Sequence, residues 1–234
     1  MLYSKCYDPP IMSAVVRATL ADQVHSELRS RILSGRLASG HRLLPEELAS
    51  DLSISQTPVK EALLKLEADG LVVSEMRRGS VVRLFTAKDV EELYEARILI
   101  ELDALGAAFE RGAITAELLE ALEQNLERHA FHLKKDTLKD LTTALTFDRD
   151  FHHKLILTRD NNVIAAWHQR ILAQTHTAYV YLSSDTSRVF GEHNDILEAL
   201  KAGLPDQAAD ALHRHLSRSR ESMLAGVKRR DSGI

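Results

Sequence analysis

Asp148 and His152 stand four residues apart, a spacing that puts both on one face of a helix. His193 and His215 lie far from them, each 11 residues from Leu204, the centre of the Gly203-Leu204-Pro205 break. In an antiparallel helical hairpin, equal offsets from the turn bring two residues to one level. One carboxylate and three imidazoles turned inward from facing helices would hold a divalent cation, and zinc, nickel or manganese each suit that donor set. The spacing also admits a plainer reading, because the chain has 11 histidines and most histidines are surface or capping residues. His153 points about 100° away from His152 and His213 about 200° away from His215, so neither joins the set. His129, His132, His168 and His176 are bystanders on spacing, with His176 the best placed to line a cavity. The enzymatic alternative is a metal-dependent hydrolase with an accessory N-terminal domain, in which the four residues activate water. No separate general base stands at a suggestive spacing, and such an enzyme leaves the N-terminal third unexplained.

The elements that must carry these residues are helical. Thr86-Ala87-Lys88-Asp89 fits a capping box, with Asp89 in the usual glutamate position, and opens a long helix whose inner stripe is Leu93, Ala96, Ile100 and Ala104. Further helices are expected over 116–134 (with Leu119, Leu122 and Leu126 inside), 138–157, 163–182, 192–201 and 206–227. The breaks fall at Gly112, Lys135-Asp136, Arg159 to Asn162, the polar run 183–187, and Gly203 to Pro205. Residues 87–228 thus read as an all-α bundle of about six or seven helices. Arg97 and Glu101, four apart, pair on one face of the first.

The N-terminal third has another grammar. Leu20, Val24, Leu28 and Ile32 recur every four residues, and Ser34-Gly35 closes that helix. Pro45 to Gly70 reads as two short helices with a tight break at Ser53 to Ser55. The second opens at Thr57-Pro58, where Thr57 caps and Pro58 has no hydrogen bond to lose; Val59, Ala62, Leu63 and Leu66 form its inner stripe. Gln56, Thr57, Lys60, Glu61 and Lys65 then face outward. Such a pair is either a helix-turn-helix, whose second member enters a major groove, or an ordinary surface corner. The strand, glycine turn and strand over 71–84 decide for a winged helix, with Arg77 and Arg78 at the wing tip against phosphates or a minor groove. Ser55 and Arg42 join the expected DNA-contacting set, Arg42 either through a phosphate or, equally well on its position, as a solvated arginine. The organisation expected is an arm at 1–14, a winged helix-turn-helix of three helices and a β-hairpin at 15–86, the helical bundle at 87–228 and a tail at 229–234.

Residues 20–84, above all the stretch SQTPVKEALLKLEADGLV, resemble the winged-helix domain of GntR-type bacterial transcription regulators. Gln56 and Lys60 stand where that family usually has arginine; glutamine suits the N6/N7 edge of adenine, and lysine offers only a point charge. The stretches ARILIELDAL, FDRDFHHKLILTRDNN and EHNDILEALKAGLPDQAADALHRHL resemble the FCD ligand-binding domain of the FadR subfamily. That resemblance implies a metal on Asp148, His152, His193 and His215, and a carboxylate effector met by Arg97. It further implies a homodimer on a near-palindromic DNA operator, acting as a repressor relieved by a small organic acid. A structural DNA-binding protein with an inert ligand domain is the remaining alternative.

Composition agrees with this reading and narrows it little. Hydrophobic content of 44% and charged content of 27% are ordinary for a globular protein. No run is long and apolar enough to span a membrane, and no signal peptide precedes the fold, so a cytoplasmic protein is expected. The one cysteine, Cys6, rules out an intrachain disulfide. Net charge is −4 overall; residues 1–86 hold 11 basic and 10 acidic residues, leaving the rest at −5. Nucleic-acid binding therefore rests on where the cations sit, not on bulk charge.

Overall fold

The computed structural model describes residues 18–75, 79–134, 137–182 and 189–232. The expected arm, the wing tip with Arg77 and Arg78, and the polar run at 183–187 lie outside those residues. The described part is mainly α-helical, with one small sheet.

The head begins with α1 (Leu20–Leu33), opened by a full capping box in which Thr19 and Asp22 exchange bonds. Its buried row is Ala21, Val24, Leu28 and Ile32. Leu20 is 48% exposed, so the row expected from period four starts one residue later. Next come β1 (Arg42–Leu43), α2 (Pro45–Asp51) and α3 (Gln56–Ala68). Ser53 takes φ 54° in the turn between the helices, left-handed backbone that lets the chain reverse within four residues. Ser55, not Thr57, occupies the N-cap of α3, and Pro58 falls at the third helical position, where it still costs no intrahelical bond. The wing is β2 (Val72–Glu75) and β3 (Gly79–Val82). Its sheet has three strands in the order β1-β3-β2, all antiparallel, because Arg42 and Leu43 pair with Val81 and Ser80. The two residues of β1 are too few for a strand pattern to show in sequence. Val59, Ala62, Leu63 and Leu66 all turn inward, onto Leu28, Ile32, Leu71 and Val82.

The body is α4 (Ala87–Glu110), α5 (Ala116–Leu133), α6 (Leu138–Leu157), α7 (Asn162–Leu182), α8 (Val189–Lys201) and α9 (Pro205–Ser232). The Thr86/Asp89 capping box is formed as expected. α4 does not bury the row Leu93, Ala96, Ile100 as its deepest face. Its enclosed residues are Val90, Tyr94, Arg97, Glu101, Ala104, Leu105, Ala107 and Ala108, because α6, α7 and α9 all pack on it and the polar centre claims two of its turns. α9 continues past Val227 to Ser232, so residues 229–232 are helix and not tail. Arg230 donates to the Phe85 carbonyl at 2.8 Å, and Arg229 donates to the Leu182 carbonyl at 3.2 Å. Gly226 lets α9 lie against α7; a Cβ there would meet the Leu182 carbonyl oxygen at 2.0 Å.

Head and body meet along α7. The Tyr181 hydroxyl donates to the carbonyls of Ile32 (2.8 Å) and Leu37, at the end of α1. Arg83, just after the wing, pairs with Asp89 of α4 and donates to Gln174 of α7 at 2.8 Å. No helix among the described residues is long and apolar enough to cross a membrane.

Candidate metal centre and nucleic-acid face

Asp148 and His152 on α6, His193 on α8 and His215 on α9 are brought together in the middle of the body. One ligand atom from each lies within 4.8 Å of all the others, and all four residues are buried. His152 Nε2 is 3.1 Å from His193 Nε2 and 3.2 Å from His215 Nε2, while His193 Nε2 is 3.4 Å from Asp148 Oδ1. The α8–α9 hairpin, turning at Gly203 in the left-handed region (φ 67°), sets the two later histidines at one level.

A ring of carboxylates fixes which way the imidazoles face. His152 Nδ1 bonds Glu101 at 2.7 Å, and His215 Nδ1 bonds Glu192 at 3.0 Å. With those nitrogens carrying the proton, both Nε2 atoms present lone pairs to each other at 3.2 Å. Facing lone pairs repel unless a cation stands between them. Metal–nitrogen bonds of about 2.1 Å would place neighbouring ligand atoms roughly 3.0 Å apart in an octahedron and 3.4 Å in a tetrahedron, and the His152–His193, His152–His215 and His193–Asp148 separations of 3.1, 3.2 and 3.4 Å fall in that range. Asp148 is in turn held by His176 at 2.9 Å, and Glu101 also receives Arg97 Nε at 2.8 Å and His168 at 3.0 Å. Such outer partners orient the ligating atoms.

The electrostatics favour the ligating protonation states. Burial alone would raise the Asp148 carboxyl, but the His176 bond and the imidazoles of His193 and His152 hold it well below the usual carboxylate range. Glu101 is held down against burial by Arg97, then His152. Burial pushes the His152 imidazole down to about 4, and lowers His193 well below its ordinary value with His215 adding to the effect. Ionised carboxylate and neutral imidazole are the forms that bind metal.

Beside this cluster is a cavity of about 20 Å³, lined by Tyr94, Arg97, His129, Asp148, His176 and His215 among others. That volume suits a single water-sized group, so a larger ligand must displace side chains as it enters. Arg97 is 2% exposed and its Nη2 has no hydrogen-bond partner. A buried guanidinium with a spare donor beside a cation site is what a carboxylate would satisfy.

Spacing in the sequence finds the four converging residues but misses most of the ring around them. Glu192 precedes His193 and lies almost level with His215 by the same hairpin arithmetic, so a signal for it was present. His176 does line the cavity. Glu101 bridges Arg97, His152 and His168 across three helices, which no local pattern reveals.

On the head, Ser55, Gln56, Thr57 and Lys60 are exposed at the start of α3, and Arg42 is exposed on β1. Lys65 is placed differently: its ammonium pairs with Asp22 of α1 at 2.5 Å, about two turns from the exposed N-terminus of α3, so it is already engaged within the chain. Glu46, Glu47 and Asp51 of α2 share a groove with Gln56 and Lys60. They would repel phosphates on that side and leave the N-terminal turn of α3 as the approach.

Residues 20–82 match the model of bacterial regulatory proteins of the gntR family, and residues 92–218 match the FCD domain. The gluconate operon transcriptional repressor of Bacillus licheniformis is 31% identical over 206 residues, covering 85% of this chain and 83% of its own. The transcriptional repressor RspR of Escherichia coli is 29% identical, covering 86% and 87%. Among solved structures, a GntR transcriptional regulator from Rhodococcus sp. RHA1 superposes with a TM-score of 0.77 at 25% identity, covering 87% of this chain and 97% of its own.

Proposed function

Because the chain belongs to the GntR family of bacterial transcription regulators and carries an FCD domain, we propose that it is a repressor whose grip on DNA is set by a small acid bound at a metal centre in the body. It is a regulator and not an enzyme: the family and its named relatives regulate transcription, which sets aside the hydrolase alternative. The observation that carries the proposal is the set of Nε2 atoms of His152, His193 and His215 facing one another beside Asp148, each residue but His193 backed by a named partner.

In this reading Asp148, His152, His193 and His215 hold the metal. A divalent cation there, whether zinc, nickel or manganese, supplies open coordination positions to the oxygens of an organic acid. Arg97 turns its free Nη2 toward the acid and fixes the carboxylate. The gluconate-operon relative makes sugar acids the first class to assay. His176, on α7, contacts Asp148, and the same helix holds the head through Gln174 and Tyr181. An acid that fits one placement of α7 better than another shifts the heads by that difference in affinity; equal affinity for both shifts nothing. Two copies would place two heads on a near-palindromic operator, with Ser55, Gln56, Thr57 and Lys60 toward bases and Arg42, Arg77 and Arg78 toward phosphates.

Gel shifts with the intergenic DNA upstream of the gene test the head. Lys60→Ala should weaken binding about tenfold or more with unchanged thermal stability, because the side chain is exposed; undiminished binding would displace α3 from the groove. Metal analysis tests the body. Wild type should carry about one divalent ion per chain and His215→Ala far less; full occupancy in the variant would dissolve the proposed centre.

A further inference from the structure

A second cavity opens where the head leans on the body, next to the cavity at the metal centre, with Leu145 and His176 lining both. It holds about 350 Å³ between α1 and the α6/α7 pair. A further lobe of about 430 Å³ continues from it, and Arg29 of α1 and Arg149 of α6 line both. Several other half-buried arginines are matched to carboxylates: Arg31 to Glu27 and Asp51, Arg83 to Asp89, Arg159 to Asp103, and Arg230 to Asp231. Arg29 and Arg149 have no ion pair or hydrogen bond among the described residues, and they share the cleft with the hydroxyls of Ser26, Ser30, Thr143 and Thr146. The nearest acids are committed elsewhere: Asp150 to Lys154 and to Asn125 (2.8 Å), and Asp148 to the metal centre and His176.

Two guanidiniums on opposite walls, without a counter-charge and among hydroxyl groups, describe a receptor for an anion. A carboxylate would answer one of them. A phosphate monoester carries nearly two charges at neutral pH and three terminal oxygens, enough to accept from both guanidiniums and from hydroxyls together. We propose that this cleft is a second ligand site, binding a small phosphate monoester between Arg29 of the head and Arg149 of the body. Because one arginine belongs to each part, the ligand joins α1 to α6, a connection not otherwise made through paired side chains among the described residues.

Titration calorimetry on the full chain, with inorganic phosphate and glycerol phosphate as probes, tests this without reference to DNA. Wild type should bind both saturably, and Arg29→Gln and Arg149→Gln should each weaken binding roughly tenfold or more. Lysine at either position should weaken it less, since charge is kept and only the fork is lost. His215→Ala should bind the probes as wild type does. Without ligand, Arg149→Gln should melt no lower than wild type, because a like-charge pair is relieved, which guards against misfolding as the cause of lost binding. No saturation below about 10 mM beyond the effect of chloride at equal ionic strength overturns the proposal. So does loss of binding in His215→Ala, which would put the phosphate on the metal centre. Equal weakening of non-specific duplex binding by both glutamine variants would identify DNA as the anion and overturn it as well.

Discussion

Among the described residues, every enclosed side chain of the head is hydrocarbon or aromatic, from Ala21 and Leu28 through Val59 and Leu66 to Phe85. The body, built from the same kind of amphipathic helix, encloses Arg97, Glu101, Asp148, Glu192 and several histidines. The head's core could be replaced by other hydrocarbon of similar volume with modest loss. The body's centre has no such freedom, because each buried charge is tolerable only while its partners stay in place. One part is stable by packing, and the other by an arrangement that invites a ligand.

The largest test of that contrast is Glu101→Ala. It strips partners from Arg97, His152 and His168 at once, and should cost about 3–5 kcal/mol in urea unfolding, where truncation of an ordinary surface glutamate costs almost nothing. A loss below 1 kcal/mol would mean that water already serves those groups. Chelation comes next. If the protein is held at about 100 times its metal Kd, removing the ion should lower body stability by roughly 3 kcal/mol and leave the head's own melting unchanged. An unchanged melting curve after chelation would show that the imidazoles tolerate one another unaided. The smallest effect lies in the head: Thr19→Ala removes the capping box of α1 and should cost about 1 kcal/mol without altering metal content.

The same contrast explains which features are legible in the sequence. The inner stripe of α3 follows from spacing, since Val59, Leu63 and Leu66 need only face one way. The convergence of Asp148, His152, His193 and His215 was legible for a similar reason: an i, i+4 pair and a symmetric hairpin are local geometry. Glu101 was legible only as the partner of Arg97, because its bonds to His152 and His168 arise where three helices cross. The inner face of α4 was misplaced for a related reason. A hydrophobic period finds oily stripes, and the deepest turn of this helix carries a guanidinium and a carboxylate. β1 escaped notice because two residues carry no period at all, and the pairing of Lys65 with Asp22 because that partner lies on a different helix.

The placing of His215 on α9 bears on how the molecule comes into being. The head draws nearly all of its core from residues 24–82, so it can assemble while the ribosome is still working on the body. The polar centre must wait until the segment with Glu192, His193 and His215 has emerged, and until then Arg97 and Glu101 stand on a growing bundle with half their neighbours missing. A nascent chain of this protein would therefore have its DNA-binding head in place before its polar centre existed.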